Sequence, residues 1–521
     1  MKEADSPQGK LLDFMGRPEA YDPPPATVER IDTHASIVFL AGPFAYKVKR
    51  AVKYPFLDFS TLDKRRDACC NELRVNARTA PQLYLEVVPV NIGKDGTFEL
   101  NGKGKVVEWV LHMRRFRQDT LFDRMAGEGR LPLASMPALA VAIATFHDSA
   151  DRLLNPDQSV VPLEGIVRDN EKAFASNPKV IPPEAALELI RLTRERLAAL
   201  SPLLKARAQG GYVRHCHGDL HLRNIVEIDG APVLFDAIEF DDSLATIDVL
   251  YDLAFLLMDL GKRGLTAHAN AVLNAYVDHE GSTANLIGLA ALPLFLAMRA
   301  AIRAKVGLLR AKTGAPEKAA ETREEARSYF DLARSFLTPL SPRLIAIGGL
   351  SGSGKSAISR AIAPYIGAFP GAVHVRSDVE RKRLFGVPQT QKLPERAYAP
   401  EVSDQVYAMC RKRALMALQG GQAVIVDAVH ARPAEHEALA ALAAKEGVSF
   451  TGLWLEAPPE VMRQRVASRT RDVSDATPPV VDTQLTYDIG KQDFEVIDAT
   501  LPFEQVVASC LDKIGAGKAR P

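Results

Sequence analysis

The chain has 521 residues, 47% of them hydrophobic, with 65 Lys and Arg against 64 Asp and Glu for a formal net charge of +1. That length exceeds one ordinary core and implies two to three domains. So even a charge balance carries no electrostatic footprint of a nucleic-acid binder or a coat for anionic membranes, and partners have to be read from individual sites. The five cysteines, at 69, 70, 216, 410 and 510, form no CxxC pair and no zinc-site spacing with His, so they read as reduced thiols. The start, MKEADSPQGK, is polar, and the longest apolar stretch, Leu286 to Met298, is short of a span and contains Pro293. The expectation is a cytoplasmic protein with no membrane segment.

In chain order, Ile37 to Leu40 and Ala45 to Lys49 read as two strands around the turn Gly42-Pro43. A helix is expected from Lys64 to Thr79, then strands at Tyr84 to Val90 and Val106 to Met113, and beyond Ala134 a mainly helical region. From Pro316 to Leu337 the pattern is one amphipathic helix, apolar at Ala326, Tyr329, Phe330, Ala333, Phe336 and Leu337, stopped by Pro339 and Pro342. From Arg343 the texture changes to short apolar strands between helices: Leu344 to Ile347, Ala372 to Val375, Ala423 to Val426, Phe450 to Leu455 and Val496 to Ile497. The boundary therefore falls between a first domain of residues 1–338, with its core at about 30–310 and a connecting helix at 316–337, and a βαβ domain of residues 343–515.

Two motifs carry chemistry. The first is His217-Gly218-Asp219-Leu220-His221-Leu222-Arg223-Asn224, followed by the apolar run Pro232 to Phe235 and then Asp236. Asp219 and Asn224, five apart, have the spacing in which a carboxylate orients an acceptor hydroxyl and an amide reaches a metal, and Asp236 is placed as the second metal ligand. The tripeptide here is Asp236-Ala237-Ile238, so only the Asp of DFG is kept. This segment resembles the aminoglycoside phosphotransferase-like family, which uses HGDLxxxN and a bare metal Asp. The helix Asp248-Val249-Leu250-Tyr251-Asp252-Leu253-Ala254 is similar to that family's D-x-x-x-D-L-A and implies support for the catalytic loop. The resemblance covers residues 30 to 310 and implies a bilobal protein-kinase-like fold that binds ATP and Mg2+.

Such a small lobe needs a strand lysine for the phosphates and a helical Glu to fix it. Lys47 and Lys49 lie on one face of their strand and either could serve, Lys47 being preferred, with Glu72 as its partner. The adenine edge is expected near His112 and Met113. No GxGxxG loop precedes the hairpin, a departure from protein kinases.

The second motif is Gly349-Leu350-Ser351-Gly352-Ser353-Gly354-Lys355-Ser356, after an apolar strand and opening a helix. Its glycines let successive N–H groups, with those of Ser351 and Ser353, face phosphates; Lys355 reaches the β and γ phosphates and Ser356 binds Mg2+. Asp378 is placed to take an acceptor proton and Arg381 to clamp an anionic acceptor, while Asp427 ends a strand as a metal-linked carboxylate. Arg463, Arg465, Arg469 and Arg471 read as a lid over the phosphates. With the string Arg469-Thr470-Arg471-Asp472-Val473-Ser474-Asp475-Ala476, this half resembles the AAA_33-type P-loop kinases, a group close to gluconate kinase, chloramphenicol phosphotransferase and polynucleotide 5′-kinase. That implies a P-loop NTPase fold, a three-layer αβα arrangement around a parallel sheet.

The expectation as a whole is a multidomain α+β and α/β protein, a fusion of two ATP- and Mg2+-dependent kinase domains acting on small-molecule hydroxyls. Sugars, amino sugars or aminoglycoside-like acceptors suit the first domain by analogy of fold. A polynucleotide 5′-hydroxyl is the rival acceptor for the second, although 22 Lys and Arg against 20 Asp and Glu from residue 343 onward give it little help. The other rival is that one domain senses nucleotide and regulates its neighbour.

Overall fold

The structure, a computed structural model, describes all residues except 1–6, 34, 55–56, 154, 156–158, 281–282, 315, 339, 469–472, 488, 490–492 and 517–521. Its packing forms two compact units, neither continuous in sequence: residues 1–153 with 213–252, and residues 154–212 with 253–521.

The first unit is built on an antiparallel sheet of β1 (Val28–Asp32), β2 (Ser36–Ala41), β3 (Phe44–Lys49), β4 (Tyr84–Ile92), β5 (Phe98–Leu100) and β6 (Lys105–Arg114), in the order β1-β2-β3-β6-β4-β5. Ala41 pairs with Phe44 across the turn, where Gly42 takes φ +56°, a region that side chains with a Cβ avoid. One face of the sheet packs Phe39, Val48, Val90 and Val110 under helix α1 (Pro7–Met15), through Leu11, Leu12 and Met15. Neither this helix nor β1 was expected from the sequence. Helix α2 (Leu62–Asn76) starts where the Thr61 hydroxyl accepts from the Lys64 N–H at 3.3 Å. It lies near β6 and buries Glu72 completely.

A second hairpin carries the first motif. Strands β7 (Ile225–Ile228) and β8 (Ala231–Leu234) pair with Ile228 opposite Ala231, and the loop between them is Asp229-Gly230, both at positive φ (+52° and +76°). That is the two-residue turn whose twist matches the strands it joins. It fixes the register so that Asn224 sits before one strand and Asp236 after the other.

In the second unit, helices Val161–Ala175 and Pro183–Gln209 accompany most of α3 (Val249–Lys262), α4 (Thr266–Glu280), α5 (Leu292–Thr313) and α6 (Ala319–Phe336). Helices α5 and α6 approach closely because position 307 is Gly; a Cβ there would lie 2.9 Å from that of Ala326. The helical run from Thr283 to Lys312 is longer than the apolar stretch read from the sequence, and by length and composition it could cross a membrane. Its apolar window is 78% buried, as in a core helix.

Helix α6 ends at Phe336 and β9 (Arg343–Gly348) opens a parallel sheet with β10 (Val373–Arg376), β11 (Val424–Asp427), β12 (Ser449–Glu456) and β13 (Glu495–Asp498), ordered β10-β11-β9-β12-β13. The central strands β9 and β11 are buried along nearly their whole length, as in parallel sheets covered on both faces. Strand β9 leads into the glycine motif and helix α7 (Lys355–Ile362), at the carboxyl ends of the strands where open α/β sheets bind ligands.

Candidate active sites

The first site lies within the first unit. Lys47 Nζ donates to Glu72 Oε1 at 2.6 Å and to Asp236 Oδ1 at 2.9 Å, while Lys49 Nζ sits 2.5 Å from Glu72 Oε2 and 2.5 Å from Glu239 Oε1. Both lysines thus share Glu72, and exposure separates them. The Lys47 side chain is 16% accessible beside an Asp236 that is 43% accessible, whereas Lys49 is 2% accessible against an 11% Glu239. Lys47 faces open space and Lys49 the interior. Burial works against the Lys47 charge, yet Asp236 and Glu72 hold its pKa well above the usual lysine value. Burial also opposes the charge on Asp236, but Lys47 outweighs it and keeps the carboxyl below the ordinary range. For Glu239 burial wins, and its pKa is raised despite Lys49.

Asp236 holds φ +59°, with its N–H on the Tyr84 hydroxyl at 3.1 Å; the next N–H, of Ala237, bonds Asn76 Oδ1 at 2.9 Å. Asn224 Nδ2 donates to Asp219 O at 2.9 Å, to Asp219 Oδ2 at 3.1 Å and to Asp236 O at 3.4 Å. Asn224 thus bridges the Asp219 side chain and the Asp236 backbone, and side-chain oxygens of Asp219, Asn224 and Asp236 are donor types that suit Mg2+. Asp219 stays 40% accessible. Beneath it, Asp252 accepts the N–H groups of His217 (3.0 Å) and Gly218 (2.9 Å) and touches His147 Nε2 at 3.1 Å. The loop geometry is thus imposed by a fully buried carboxylate at the start of α3.

His112 and Met113, expected at the adenine edge, lie inside β6. There they pair with Tyr46 and Ala45 on one side and with Glu86 and Tyr84 on the other, so their backbone is committed to the sheet. The sheet ends at Arg114, and Arg115 N–H still bonds Pro43 O at 2.8 Å.

The second site lies within the second unit. Gly349, Gly352 and Gly354 take φ of +138°, +87° and +99°. At Gly352 a Cβ would lie 2.4 Å from Met462 O, so this curl has no room for a side chain. Ser356 Oγ donates to Asp427 Oδ2 at 2.5 Å, and His374 Nε2 lies 3.2 Å from the same oxygen. Burial alone would raise the Asp427 carboxyl; His374, Arg376 and Lys355 together hold it well below the usual range. A hydroxyl and an ionised carboxylate side by side are again a fit for Mg2+. Lys355 Nζ donates to Leu350 O at 3.0 Å, and the Ser351 N–H is accepted by Gln484 Oε1 at 2.7 Å. Ser353 is buried in the curl.

Asp378 is half-buried in the first turn of helix α8 (Ser377–Leu384), two residues beyond the end of β10. Arg381, expected to clamp an anion, is 7% exposed; its Nη1 donates to Ala397 O at 2.6 Å and its guanidinium lies 4.8 Å from the Tyr398 ring centroid. Its charge is engaged in holding the 395–403 segment. Arg465 donates to Ala499 O at 2.8 Å and Ser353 O at 3.4 Å, bracing the glycine curl from behind, and Arg463 pairs with Asp482 at 2.7 Å. Arg469 and Arg471 lie outside the described residues. Sequence reasoning missed Glu239, His374 and Gln484. Glu239 follows Asp236 by three residues and its acidity was a signal, but a strand histidine and a distant glutamine carry none.

Residues 89–286 match the family described as the phosphotransferase enzyme family, and residues 344–487 match an AAA domain family, AAA_33. An uncharacterized protein of Mycobacterium tuberculosis (strain H37Rv) is 29% identical over 491 residues, 91% of this chain and 93% of that protein. Among solved structures, a choline/ethanolamine kinase family protein from Mesorhizobium loti is 16% identical, covering 65% of this chain and 92% of its own, with a TM-score of 0.39. A sugar kinase from Janibacter sp. is 20% identical, covering 34% of this chain and 96% of its own, with a TM-score of 0.26.

Proposed function

Starting from a chain in which a domain of the phosphotransferase enzyme family is fused to an AAA_33 P-loop domain, both of kinase type, we propose a bifunctional cytoplasmic enzyme whose two domains each transfer the ATP γ-phosphate to a hydroxyl of a small molecule. The observation that carries the reading is that each domain brings a complete set of groups together. Lys47, Asp236, Asn224 and Asp219 converge in one, and Ser356, Asp427 and the glycine curl in the other.

At the first site Lys47 neutralises nucleotide phosphates and Asp219 orients the acceptor hydroxyl and receives its proton as the acceptor oxygen bonds the γ-phosphorus and the bond from that phosphorus to the bridging oxygen breaks, releasing ADP. Asn224 and Asp236 would hold Mg2+, which when bound screens the charge that develops on the phosphates. At the second site Ser356 and Asp427 would hold it, the N–H groups of Gly352, Gly354, Lys355 and Ser356 cradle the phosphates while that of Ser353 is held by Leu350 O at 3.1 Å, and Asp378 faces the acceptor. Sugars and amino sugars lead as acceptors for the first site and a small metabolite for the second.

The test is magnesium-dependent ATP consumption by the wild type, Asp219→Asn and Lys355→Ala. The acceptor panel is sugars, amino sugars, aminoglycosides, choline, gluconate and 5′-hydroxyl oligonucleotides. Acceptor-stimulated turnover lost in one variant and kept in the other assigns that chemistry to its domain. Turnover confined to oligonucleotides would move the second domain to a polynucleotide kinase, and nucleotide binding without stimulated turnover on any acceptor would replace the reading by a nucleotide sensor.

A further inference from the structure

Strand β10 is an edge strand of the parallel sheet, and its outer backbone groups need partners. Helix α4, which lies inside the segment matched to the phosphotransferase family, supplies them from the same compact unit. Asn274 Oδ1 accepts the His374 N–H at 2.7 Å, and the Nδ2 groups of Asn270 and Asn274 both donate to Ala372 O at 3.1 Å. Two carboxamides thus stand where a neighbouring strand's peptide groups would be.

The same helix grips the second motif's machinery one turn further on. Asp278 Oδ1 lies 3.5 Å from Arg413 Nη2 and 3.8 Å from Arg383 Nη2, and Asp278 O accepts from Arg383 Nη2 at 3.0 Å. Both arginines also pair with buried Glu380, Arg413 Nε at 3.1 Å and Arg383 through a short contact. Glu380 and Arg383 belong to α8, the helix that begins with Ser377 and Asp378. Arg413 belongs to α9 (Pro400–Gln419). Both β10 and α8 are therefore tied to α4, and β10 carries His374, whose imidazole touches the Asp427 oxygen that also receives Ser356 Oγ.

We propose that α4 is a positioning element of the P-loop site. Asn274 sets β10 and, through His374, the direction of Asp427 toward Ser356, and Asp278 fixes α8 and with it Asp378. The phosphotransferase-family segment is on this view part of the second site's framework, so that site is complete only in the fused chain. The proposal rests on the reading of Ser356 and Asp427 as the Mg2+ and nucleotide ligands of that site.

The test uses the full chain carrying Lys47→Met and Asp236→Asn, which remove both the phosphate lysine and a Mg2+ ligand of the first site, so that nucleotide reports the second site. The binding of a fluorescent ATP analogue is measured as Mg2+ is titrated, with thermal unfolding recorded in parallel. Lys355→Ala should abolish binding. Asn274→Ala should raise the Mg2+ concentration for half-saturation about tenfold, the low end of the loss for an outer partner of a metal ligand because Asn274 acts one link further out, through His374. Asn274→Asp should recover part of the loss, because a carboxylate oxygen still accepts the His374 N–H. Asn274→Ser stands in should Asn274→Ala not fold. A purely structural helix would instead lower the unfolding temperature in the Asn274 variants and leave half-saturation within about twofold of the parent, which overturns the proposal. Binding that survives Lys355→Ala would overturn the underlying reading of the P-loop.

Discussion

Replacing Lys47 and Lys49 one at a time by Met separates the two cations that share Glu72. Lys47 is the accessible one, 2.6 Å from Glu72 and 2.9 Å from Asp236, and its removal leaves Glu72 still paired to Lys49. What Lys47→Met loses is a charged contact to phosphate, a net effect of about 1.5–3 kcal/mol. That corresponds to roughly 10- to 100-fold weaker nucleotide binding. Lys49→Met has the opposite profile. It leaves Glu239, already raised in pKa by burial, without its cation, and breaking a buried pair costs about 3–5 kcal/mol. For a unit of this size the melting temperature then falls on the order of 10 °C. The assay is titration with a fluorescent ATP analogue in a chain silenced at the second site by Lys355→Ala, alongside thermal unfolding monitored by circular dichroism. Should Lys49→Met abolish binding while Lys47→Met binds normally, the assignment of the phosphate lysine is wrong.

Asp252→Ala strips the acceptor from two buried N–H groups and should cost about 2–5 kcal/mol in unfolding free energy, read by urea denaturation with hydrogen exchange of the catalytic loop. Gly352→Ala forces a Cβ against Met462 O at a left-handed φ, so nucleotide binding at the second site should disappear while the first site still binds; normal binding at the second site would contradict the tight glycine curl. Asp475 is ionised below the usual carboxylate range: burial opposes this, but Lys382 at 2.6 Å and the Tyr398 hydroxyl at 2.7 Å prevail. Its folded form binds fewer protons than the unfolded chain, so its stabilisation is full above the ordinary Asp value near 4 and fades as pH falls below it, at roughly the carboxylate range. Asp475→Asn should flatten that acid limb in unfolding curves taken between about pH 3 and 6.

The strands of both sheets other than β1 and β5 were legible because turn residues bound them and their textures differ, apolar runs broken by lysines in β3 and continuous in β9 and β11. Local motifs with fixed spacing behaved the same way: Asn224 and Asp236 lie together because a two-residue Asp-Gly turn fixes the register of the strands between them. The connecting helix also came through, with Ala326, Tyr329, Phe330, Ala333 and Phe336 all buried. Contacts between residues far apart in sequence were not legible. Gln484 on the Ser351 N–H spans 133 positions and Asn274 on the His374 N–H spans 100, and neither residue type announces such a partner. The end of the strand that carries His112 and Met113 was likewise not legible, since where a strand ends depends on what its neighbours pair with.

The pair of carboxamides along β10 bears on how such a fusion could arise and persist. A fragment beginning near residue 343 would present an open strand edge of Val373–Arg376, a template for intermolecular pairing and aggregation. Once asparagines of the upstream gene segment had come to occupy that edge, separation of the two coding regions would expose sticky backbone in one product and strand polar side chains in the other. Cutting the chain at the seam should therefore cost the downstream piece its solubility before it costs it its fold.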